Sequence, residues 1–333
     1  MKRLHRSELR HCFASFSLVL LTVQLLSYSR RDLGAHQRSV FQTHRGAPPK
    51  FHYILTKAPL RPRYVRAFES ACYHHTGSEI NIHLSPTVEE IREEVTESMW
   101  RLNHARKCDV QVRVANLETE LRGFNSAQPR TAKSRRSVET FLGKLIAFQK
   151  TKHWAVHEAD LLRLLILFRE GGVYLDVDTI ILQPIGSLVN VIGEESPGIV
   201  NNAVLMFDRH HPFLACAIDA FVQNYRNDKF SENGPVLLTK LVNNQLPLCS
   251  NIARTINVLG SSAFQPVHWS EMRERLRSGT MQFSRANYVF HYNSHALNDF
   301  DDAKLSMLDT GSVPGSLLNQ ILNSFCIICE DQV

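Results

Sequence analysis

An almost entirely apolar stretch runs from Leu161 to Phe168, and two glycines, Gly171 and Gly172, follow it. Apolar residues occupy nearly every position of this stretch, which predicts a helix buried on almost all sides. The glycines are expected to end the helix in a left-handed backbone conformation. Residues 173–175 then form a short buried strand, and the apolar run at 179–182 continues beyond it.

Two carboxylates follow that strand, and a polar pair interrupts the helix before it. Because side chains alternate along a strand, Asp176 and Asp178 are expected to project to one side, with Val177 turned away. Asp160 and Arg163 lie three residues apart and share one helical face. Two carboxylates at one strand end suit Mg²⁺ or Mn²⁺, which keeps water ligands and takes others from a substrate diphosphate. The sequence therefore predicts a divalent-metal site.

The rest of the pattern alternates strands with helices. The predicted strands are 51–55 and 79–84, and the predicted helices are Arg63–His75, Val88–Ser98, Pro212–Tyr225 and Pro235–Asn243. This alternation is typical of a parallel sheet, in which ligands bind beyond the carboxyl ends of the strands. We therefore predict an α/β fold whose early half binds a nucleotide.

Several motifs occur in a fixed order along the chain. The Asp and Arg three residues apart precede an apolar helix, the sequence Gly-Gly-x-Tyr-Leu-Asp-x-Asp and an apolar strand. Three further segments match, namely Phe68–Ala71, Val200–Phe213 and Asn233–Thr239. Over roughly residues 51–295 this ordered set resembles the Golgi α-1,4-glycosyltransferases, the globotriaosylceramide-synthase-like group of DXD sugar-nucleotide transferases.

The resemblance implies a GT-A-type fold, a Rossmann-like mixed sheet in which a nucleotide-sugar half merges with an acceptor half. It also implies Mn²⁺ or Mg²⁺ as cofactor. Asp178 would bind the metal directly, Asp176 would complete the metal shell and bind the nucleotide ribose, and His291 would assist at the metal and diphosphate. Asp160 and Arg163 would hold hydroxyls of the donor sugar, with the carboxylate as acceptor and the planar guanidinium as donor.

Asn201, Ser70 and Tyr174 are further donor-binding candidates on the same resemblance. Simpler interpretations stay open for several residues. Asp160 and Arg163 could form only an intrahelical ion pair, Asn201 could be an ordinary turn residue, and Ser70 could be a helix cap or a core hydroxyl.

Some positions depart from the family pattern. Asn202 stands where the family has a glycine, and residues 228–230, Asp-Lys-Phe, replace aromatic residues that usually precede Gly-Pro. His291-Tyr292-Asn293 lacks the tryptophan of the family's late motif. Gly234 and Pro235 either shape an acceptor-side loop or form a plain turn. The choice of acceptor is therefore open.

The resemblance implies a retaining α-1,4-glycosyltransferase. Transfer of galactose from UDP-galactose to a galactose-terminated glycolipid, in glycosphingolipid synthesis, is the leading hypothesis, with N-acetylgalactosamine or N-acetylglucosamine as alternative sugars. Because an edge carboxylate contributes little to packing, Asp178→Ala is expected to abolish activity and leave the fold intact.

Two other classes of protein remain as alternatives. One is a non-catalytic relative that binds sugar nucleotides or glycans. The other is a haloacid-dehalogenase-type phosphatase that begins at Asp176 and uses Asp301 and Asp302 as its acidic pair. The phosphatase hypothesis leaves the two glycines and the Asp160–Arg163 helix unexplained.

The amino terminus carries a basic tail and an apolar segment. Lys2, Arg3, Arg6 and Arg10 precede an apolar run at 13–26. The apolar run predicts a signal-anchor helix at 12–28, and the positive-inside rule makes residues 1–11 a cytoplasmic tail. Residues 29–50, with glycines, prolines and little apolar periodicity, then form a stem, and 51–333 are the lumenal catalytic domain. The chain is then a single-pass type II protein of the Golgi membrane, and a cleaved signal peptide is the competing interpretation.

Charge and cysteine content add two points. The net charge is +6, but the Lys and Arg residues are scattered, so we predict no nucleic-acid partner. Outside the anchor the cysteines form an even set that an oxidising compartment could pair: Cys72, Cys108, Cys216, Cys249, Cys326 and Cys329. Their connectivity cannot be read from spacing.

Overall fold

The computed structural model describes residues 48–106, 108–127, 131–246, 249, 251–277, 281–294, 317–325 and 327. The predicted tail and anchor, most of the predicted stem, the pair Asp301 and Asp302, and Cys326 and Cys329 lie outside these ranges. Within them, no helix combines the length and apolar character needed to cross a membrane.

Strands and helices alternate through the first part of the described chain. The strands are β1 (Phe51–Leu55), β2 (Glu79–Leu84), β3 (Asp109–Val114), β4 (Gly172–Leu175), β5 (Thr179–Ile181), β6 (Val191–Ser196), β7 (Ile199–Phe207), β8 (Asn257–Leu259) and β9 (Val289–His291). The α-helices are α1 (Pro62–His74), α2 (Arg92–Arg106), α3 (Leu117–Ser126), α4 (Ala132–Leu142), α5 (Leu145–Gln149), α6 (Trp154–Glu170), α7 (Pro212–Asn224), α8 (Pro235–Val242), α9 (Trp269–Arg277) and α10 (Leu317–Ser324).

The first two predicted strands coincide with β1 and β2, and three of the predicted helices match α1, α7 and α8 to within one residue at each end. The helix predicted at 88–98 is correct only from Arg92, and it continues to Arg106. A 3₁₀ turn at Pro86–Ile91, capped by the Ser85 hydroxyl, comes first, and α2 begins only at Arg92. Val88, inside this turn, has a non-helical backbone with φ −129° and ψ 22°.

The main sheet is mixed and mostly parallel, with the strand order β3-β2-β1-β4-β7-β6-β8. Strand β1 runs parallel to β2 and β4, β2 to β3, and β6 to β8, whereas β7 is antiparallel to β4 and β6. The carboxyl ends of β1, β4 and β6 therefore lie at the same edge of the sheet as the amino end of β7. Strands β5 and β9 form a separate antiparallel pair. The predicted α/β class is confirmed.

Helix α6 crosses the interior, as its lack of a polar face predicts. Every residue from Leu161 to Phe168 is buried. The helix packs against α3, α7 and strand β1, and Phe168 meets Phe124 of α3 edge to face with ring centroids 5.0 Å apart. Because α6 is fixed on several sides, the polar side chains that it carries near its start are held rigidly.

Two disulfides join distant parts of the described chain. Cys72 of α1 is bonded to Cys108 before β3, and Cys216 of α7 is bonded to Cys249. Four of the six cysteines that the sequence analysis grouped as pairable are therefore paired. Disulfides of this kind persist in oxidising compartments.

A buried histidine pair bridges β1 and β2. His52 Nε2 lies 3.0 Å from the Gly171 carbonyl, so it donates there, and His52 Nδ1 then accepts from His83 Nε2 at 3.1 Å. Burial lowers the pKa of His52 to about 4 and the pKa of His83 to about 3, and His52 itself depresses His83 further. Both rings are therefore neutral in the native protein.

This pair predicts that the fold is weakened by mild acid. The unfolded chain binds protons at the ordinary histidine pKa near 6.5, whereas the native chain stays neutral, so stability falls as the pH drops below about 6.5. Each histidine contributes a loss on the order of 2 kcal/mol in the free energy of unfolding by pH 5, so we expect about 4 kcal/mol for the pair, measured from urea denaturation midpoints. The variant His83→Gln should show a shallower pH dependence over this interval; an unchanged slope would contradict the assignment.

Candidate active site

The shared edge of β1, β4, β7 and β6 opens into a pocket of about 260 Å³. Seven of the predicted site residues line it: Asp160, Arg163, Tyr174, Asp176, Asp178, Asn201 and His291. Ser70 lies elsewhere. Its hydroxyl donates to the Ala67 carbonyl at 2.8 Å and accepts from the Ile181 amide at 3.0 Å, which ties α1 to β5. The core-hydroxyl interpretation therefore describes Ser70.

The two glycines allow α6 to turn directly into the sheet. Gly171 has φ 68° and Gly172 has φ 102°, both in the region that favours glycine. Neighbouring backbone also leaves no room for a side chain. A Cβ on Gly171 would lie 2.7 Å from the Arg209 nitrogen, and one on Gly172 would lie 2.4 Å from the Lys50 oxygen. The predicted helix end is confirmed, and it delivers residues 176–178 to the edge of the sheet.

The two aspartates lie on a turn rather than on a strand. Strand β4 ends at Leu175, and the Thr179 hydroxyl then donates to the Asp176 carbonyl at 2.7 Å. Asp176, Val177 and Asp178 all line the pocket, and because they lie between β4 and β5, strand alternation does not govern them. Strand alternation fails here because the segment connects β4 of the main sheet with β5 of the small one.

Arg163 links the helix to the turn. Its guanidinium lies 3.1 Å from Asp160 Oδ1 and 3.2 Å from Asp176 Oδ1, and it donates to the Asn202 carbonyl at 2.8 Å. The guanidinium carbon also lies 4.6 Å from the centre of the Tyr174 ring, whose hydroxyl donates to Asp176 at 2.5 Å. The intrahelical ion pair is present, but it is one part of a larger network that holds both carboxylates.

Asp160 keeps one oxygen available within this network. Asn202 Nδ2 donates to Oδ1 at 2.7 Å, whereas the buried Oδ2 has no hydrogen-bond partner among the described residues. Burial raises the pKa of Asp160 to about 6, although Arg163 opposes the shift. Gly234, at the start of α8, packs against this carboxylate, and a Cβ there would lie 2.6 Å from Oδ2. A buried acceptor without a partner costs free energy, so the oxygen is suited to a ligand hydroxyl.

Asp176, Asp178 and His291 form a potential metal site. One ligand atom from each lies within 4.8 Å of the others. Asp178 Oδ2 accepts from the Ser294 amide at 2.7 Å, and Gln265 Oε1 accepts from His291 Nδ1 at 2.9 Å, which leaves His291 Nε2 facing Asp178 Oδ1 at 3.3 Å. Two carboxylates and an oriented imidazole are a donor set that Mn²⁺ or Mg²⁺ can use, so these residues fit the implied cation.

The buried pair of His291 and Asp178 is electrostatically coupled. Burial alone would raise the pKa of Asp178, but His291 and the Ser294 amide outweigh it and hold that pKa far below its usual range. Burial alone would lower the pKa of His291, but the carboxylate of Asp178 raises it above its usual value. Asp178 is therefore ionised at neutral pH, as a metal ligand must be.

Sequence reasoning missed several residues of the pocket. These are Thr56, Lys57, Tyr64, Glu195 and, behind His291, Gln265. Thr56 and Lys57 follow the first parallel strand, which is a recognisable position for ligand contacts, whereas Gln265 has no pattern around it. Phe230, noted only as a departure from the family, also lines the pocket and is 44% exposed.

Two family profiles match consecutive parts of the chain. The profile described as a glycosyltransferase sugar-binding region containing a DXD motif covers residues 37–198, and the one described as an alpha 1,4-glycosyltransferase conserved region covers residues 206–333. The chain belongs to the DXD-containing α-1,4-glycosyltransferase family. The resemblance inferred from the motifs is thus confirmed.

Individual relatives agree with the family. Lactosylceramide 4-alpha-galactosyltransferase of Mus musculus is 33% identical over 141 residues, which cover 40% of this chain and 39% of the mouse protein. Alpha-1,4-N-acetylglucosaminyltransferase of Homo sapiens is 26% identical over 155 residues, which cover 43% of this chain and 44% of the human protein. The chain thus spans less than half the length of these relatives. A solved structure of the PaToxG glycosyltransferase is 15% identical with a TM-score of 0.44, over 91% of this chain and 92% of that one, a score too low to establish a shared fold.

Proposed function

We propose that this chain is a metal-dependent, retaining α-1,4-glycosyltransferase that moves a hexose from a UDP-sugar to a glycan or glycolipid. One observation carries the proposal. The carboxylates of Asp176 and Asp178 and the imidazole of His291 converge beside the Asp160–Arg163 pair in a single pocket. Family membership supports the same activity. A GT-A-type fold is part of the proposal, supported by the mixed sheet and by the position of the DXD turn at its edge.

The chemistry follows from the charges in the pocket. Cleavage of the sugar–UDP bond develops negative charge on the diphosphate, and a divalent cation held by Asp176, Asp178 and His291 would neutralise that charge. Asp160 Oδ2 would accept a hydrogen bond from a hydroxyl of the donor sugar. Arg163 would keep Asp160 and Asp176 in place and present its guanidinium edge to the same sugar.

The donor and acceptor are the finer part of the proposal. Galactose from UDP-galactose and a galactose-terminated glycolipid are the leading candidates, because the mouse relative is named as a galactosyltransferase acting on lactosylceramide. N-acetylglucosamine is a second candidate, because the human relative is named for its transfer. N-acetylgalactosamine stays a third possibility from the family resemblance.

We also propose that the catalytic domain lies in the Golgi lumen, behind a signal anchor at 12–28. The two disulfides support an oxidising compartment, and the basic residues before the apolar run support a cytoplasmic amino terminus. Protease treatment of sealed microsomes would test the topology, since digestion of the catalytic domain without detergent would contradict it.

The proposed activity predicts release of UDP by the purified full chain in detergent. The assay would supply Mn²⁺ with UDP-galactose, UDP-N-acetylglucosamine or UDP-N-acetylgalactosamine, each with and without lactose. We expect one donor to be used, release to increase with lactose, and EDTA to remove it. A folded protein that releases UDP from none of these donors would favour the non-catalytic binder. Turnover of p-nitrophenyl phosphate would instead favour the phosphatase.

A further inference from the structure

Among the residues that the structure describes, four carboxylates line the pocket, and the proposed function uses three of them. Asp160, Asp176 and Asp178 each have a close charged or hydroxyl partner. The fourth is Glu195, at the end of β6. Within the described part of the chain, the only hydrogen bond to its carboxylate is a long one, 3.5 Å, from Asn201 Nδ2. Glu195 is therefore a pocket carboxylate whose capacity to accept hydrogen bonds is mostly unused.

A local irregularity in β6 accompanies the inward position of Glu195. The pairing of β6 with β7 shifts register between Ile192 and Glu194 and again between Glu194 and Ser196. Such bulges redirect side chains and occur often beside active sites. The neighbouring Glu194 instead accepts from the Gly198 amide at 2.9 Å and does not line the pocket. Two consecutive carboxylates on one strand thus have different surroundings.

The strand order separates Glu195 from Asp176 and Asp178. Strand β7 lies between β4, which precedes Asp176 and Asp178, and β6, which carries Glu195. Adjacent strands lie about 4.8 Å apart, so β4 and β6 are separated by roughly 10 Å. Accordingly, Glu195 does not belong to the group of potential metal ligands. Glu195 and the two aspartates therefore reach the same pocket from strands on either side of β7.

We propose that Glu195 binds the acceptor sugar, with its carboxylate accepting hydrogen bonds from hydroxyls of the terminal hexose. The proposal rests on the proposed function, which places the diphosphate at Asp176 and Asp178. A carboxylate can accept from two neighbouring hydroxyls at once, and hydrogen bonds to a charged group are stronger than neutral ones. Asn201 Nδ2 donates to the Glu195 carboxylate, and Asn201 Oδ1 accepts from the Ala203 amide at 2.6 Å. Asn201 therefore links the Glu195 side chain to β7.

The test compares Glu195→Gln with Glu194→Gln, which makes the same charge change one residue away. We expect Glu195→Gln to raise the KM for lactose about tenfold or more, because it weakens charge-assisted hydrogen bonds. The KM for the UDP-sugar and the rate of UDP release without acceptor should stay at the wild-type values. Glu194→Gln should leave all three quantities unchanged, since glutamine keeps an oxygen for the Gly198 amide.

A binding measurement keeps this proposal separate from the proposed function. Saturation-transfer NMR of lactose with the full chain, UDP and Mn²⁺ should show binding that Glu195→Gln removes, even if the wild-type protein turns over no donor. An unchanged lactose affinity in Glu195→Gln, or no lactose binding by the wild-type protein, would overturn the assignment. Loss of donor hydrolysis together with transfer in Glu195→Gln would also overturn it, because the carboxylate would then act on the donor.

Discussion

Replacing Asp178 with asparagine is expected to lower the transfer of sugar at least about a hundredfold, because stabilisation of the leaving diphosphate by a bound cation is worth several kcal/mol. Asparagine keeps an oxygen that can accept from the Ser294 amide but removes the negative charge beside His291. UDP release at saturating UDP-sugar and Mn²⁺ measures the effect. Wild-type protein treated with EDTA should lose the same activity and regain it when Mn²⁺ is added.

The matched control for this variant is Asp208→Asn. Asp208 is an exposed carboxylate after β7 that accepts from Asn190 Nδ2 at 2.9 Å, and it does not line the pocket. Asp208→Asn makes the same change of charge away from the pocket, so transfer by this variant should stay at the wild-type level. If Asp178→Asn kept wild-type activity, or if EDTA had no effect on the wild-type protein, the metal-dependent mechanism would be refuted.

The choice of asparagine follows from a correction to the sequence analysis. Asp178 was expected to be an edge carboxylate with little effect on packing, but its side chain is only 8% exposed. Alanine would leave the Ser294 amide without its acceptor and His291 without its ion-pair partner, and such losses typically cost about 1–3 kcal/mol each. The fold of Asp178→Ala is therefore expected to be weakened, and its loss of activity would have two causes.

The parts of the site that sequence predicted well are those encoded locally. An apolar run with no polar face, two glycines and a short strand determine α6, its end and β4 within one continuous segment. Asp160 and Arg163 share a face because helical periodicity is regular. The turn at 176–178 was mispredicted because side chains alternate only within a strand, and β4 ends at Leu175.

The remaining parts depend on pairing between distant segments. His291 reaches Asp178 because β9 pairs with β5, and Thr179 is aligned directly with His291. No local pattern encodes that register, and only the family resemblance indicated His291. Gln265 and Glu195 had no such support. The first depends on a loop that meets β9, and the second depends on register shifts between β6 and β7.

Replacing Arg163 with lysine should reduce both stability and activity, although the charge is kept. The planar guanidinium reaches Asp160, Asp176 and the Asn202 carbonyl together, and a single ammonium cannot reproduce that fork. At least one buried acceptor then loses its partner. We expect about 2–3 kcal/mol less free energy of unfolding by urea denaturation. Transfer by the folded variant should fall about a hundredfold, because small displacements of positioning groups are costly.

Arg169→Lys provides the comparison within the same helix. Arg169 has a side chain that is 44% exposed and pairs with Glu120 and Glu170, so its replacement should change the free energy of unfolding by less than about 1 kcal/mol and leave transfer intact. Equal behaviour of the two variants would show that the Arg163 network is dispensable. If Arg163→Lys lost stability but kept wild-type kinetics with the UDP-sugar, Arg163 would be a structural link between α6 and the turn, and its predicted contact with the donor sugar would be wrong.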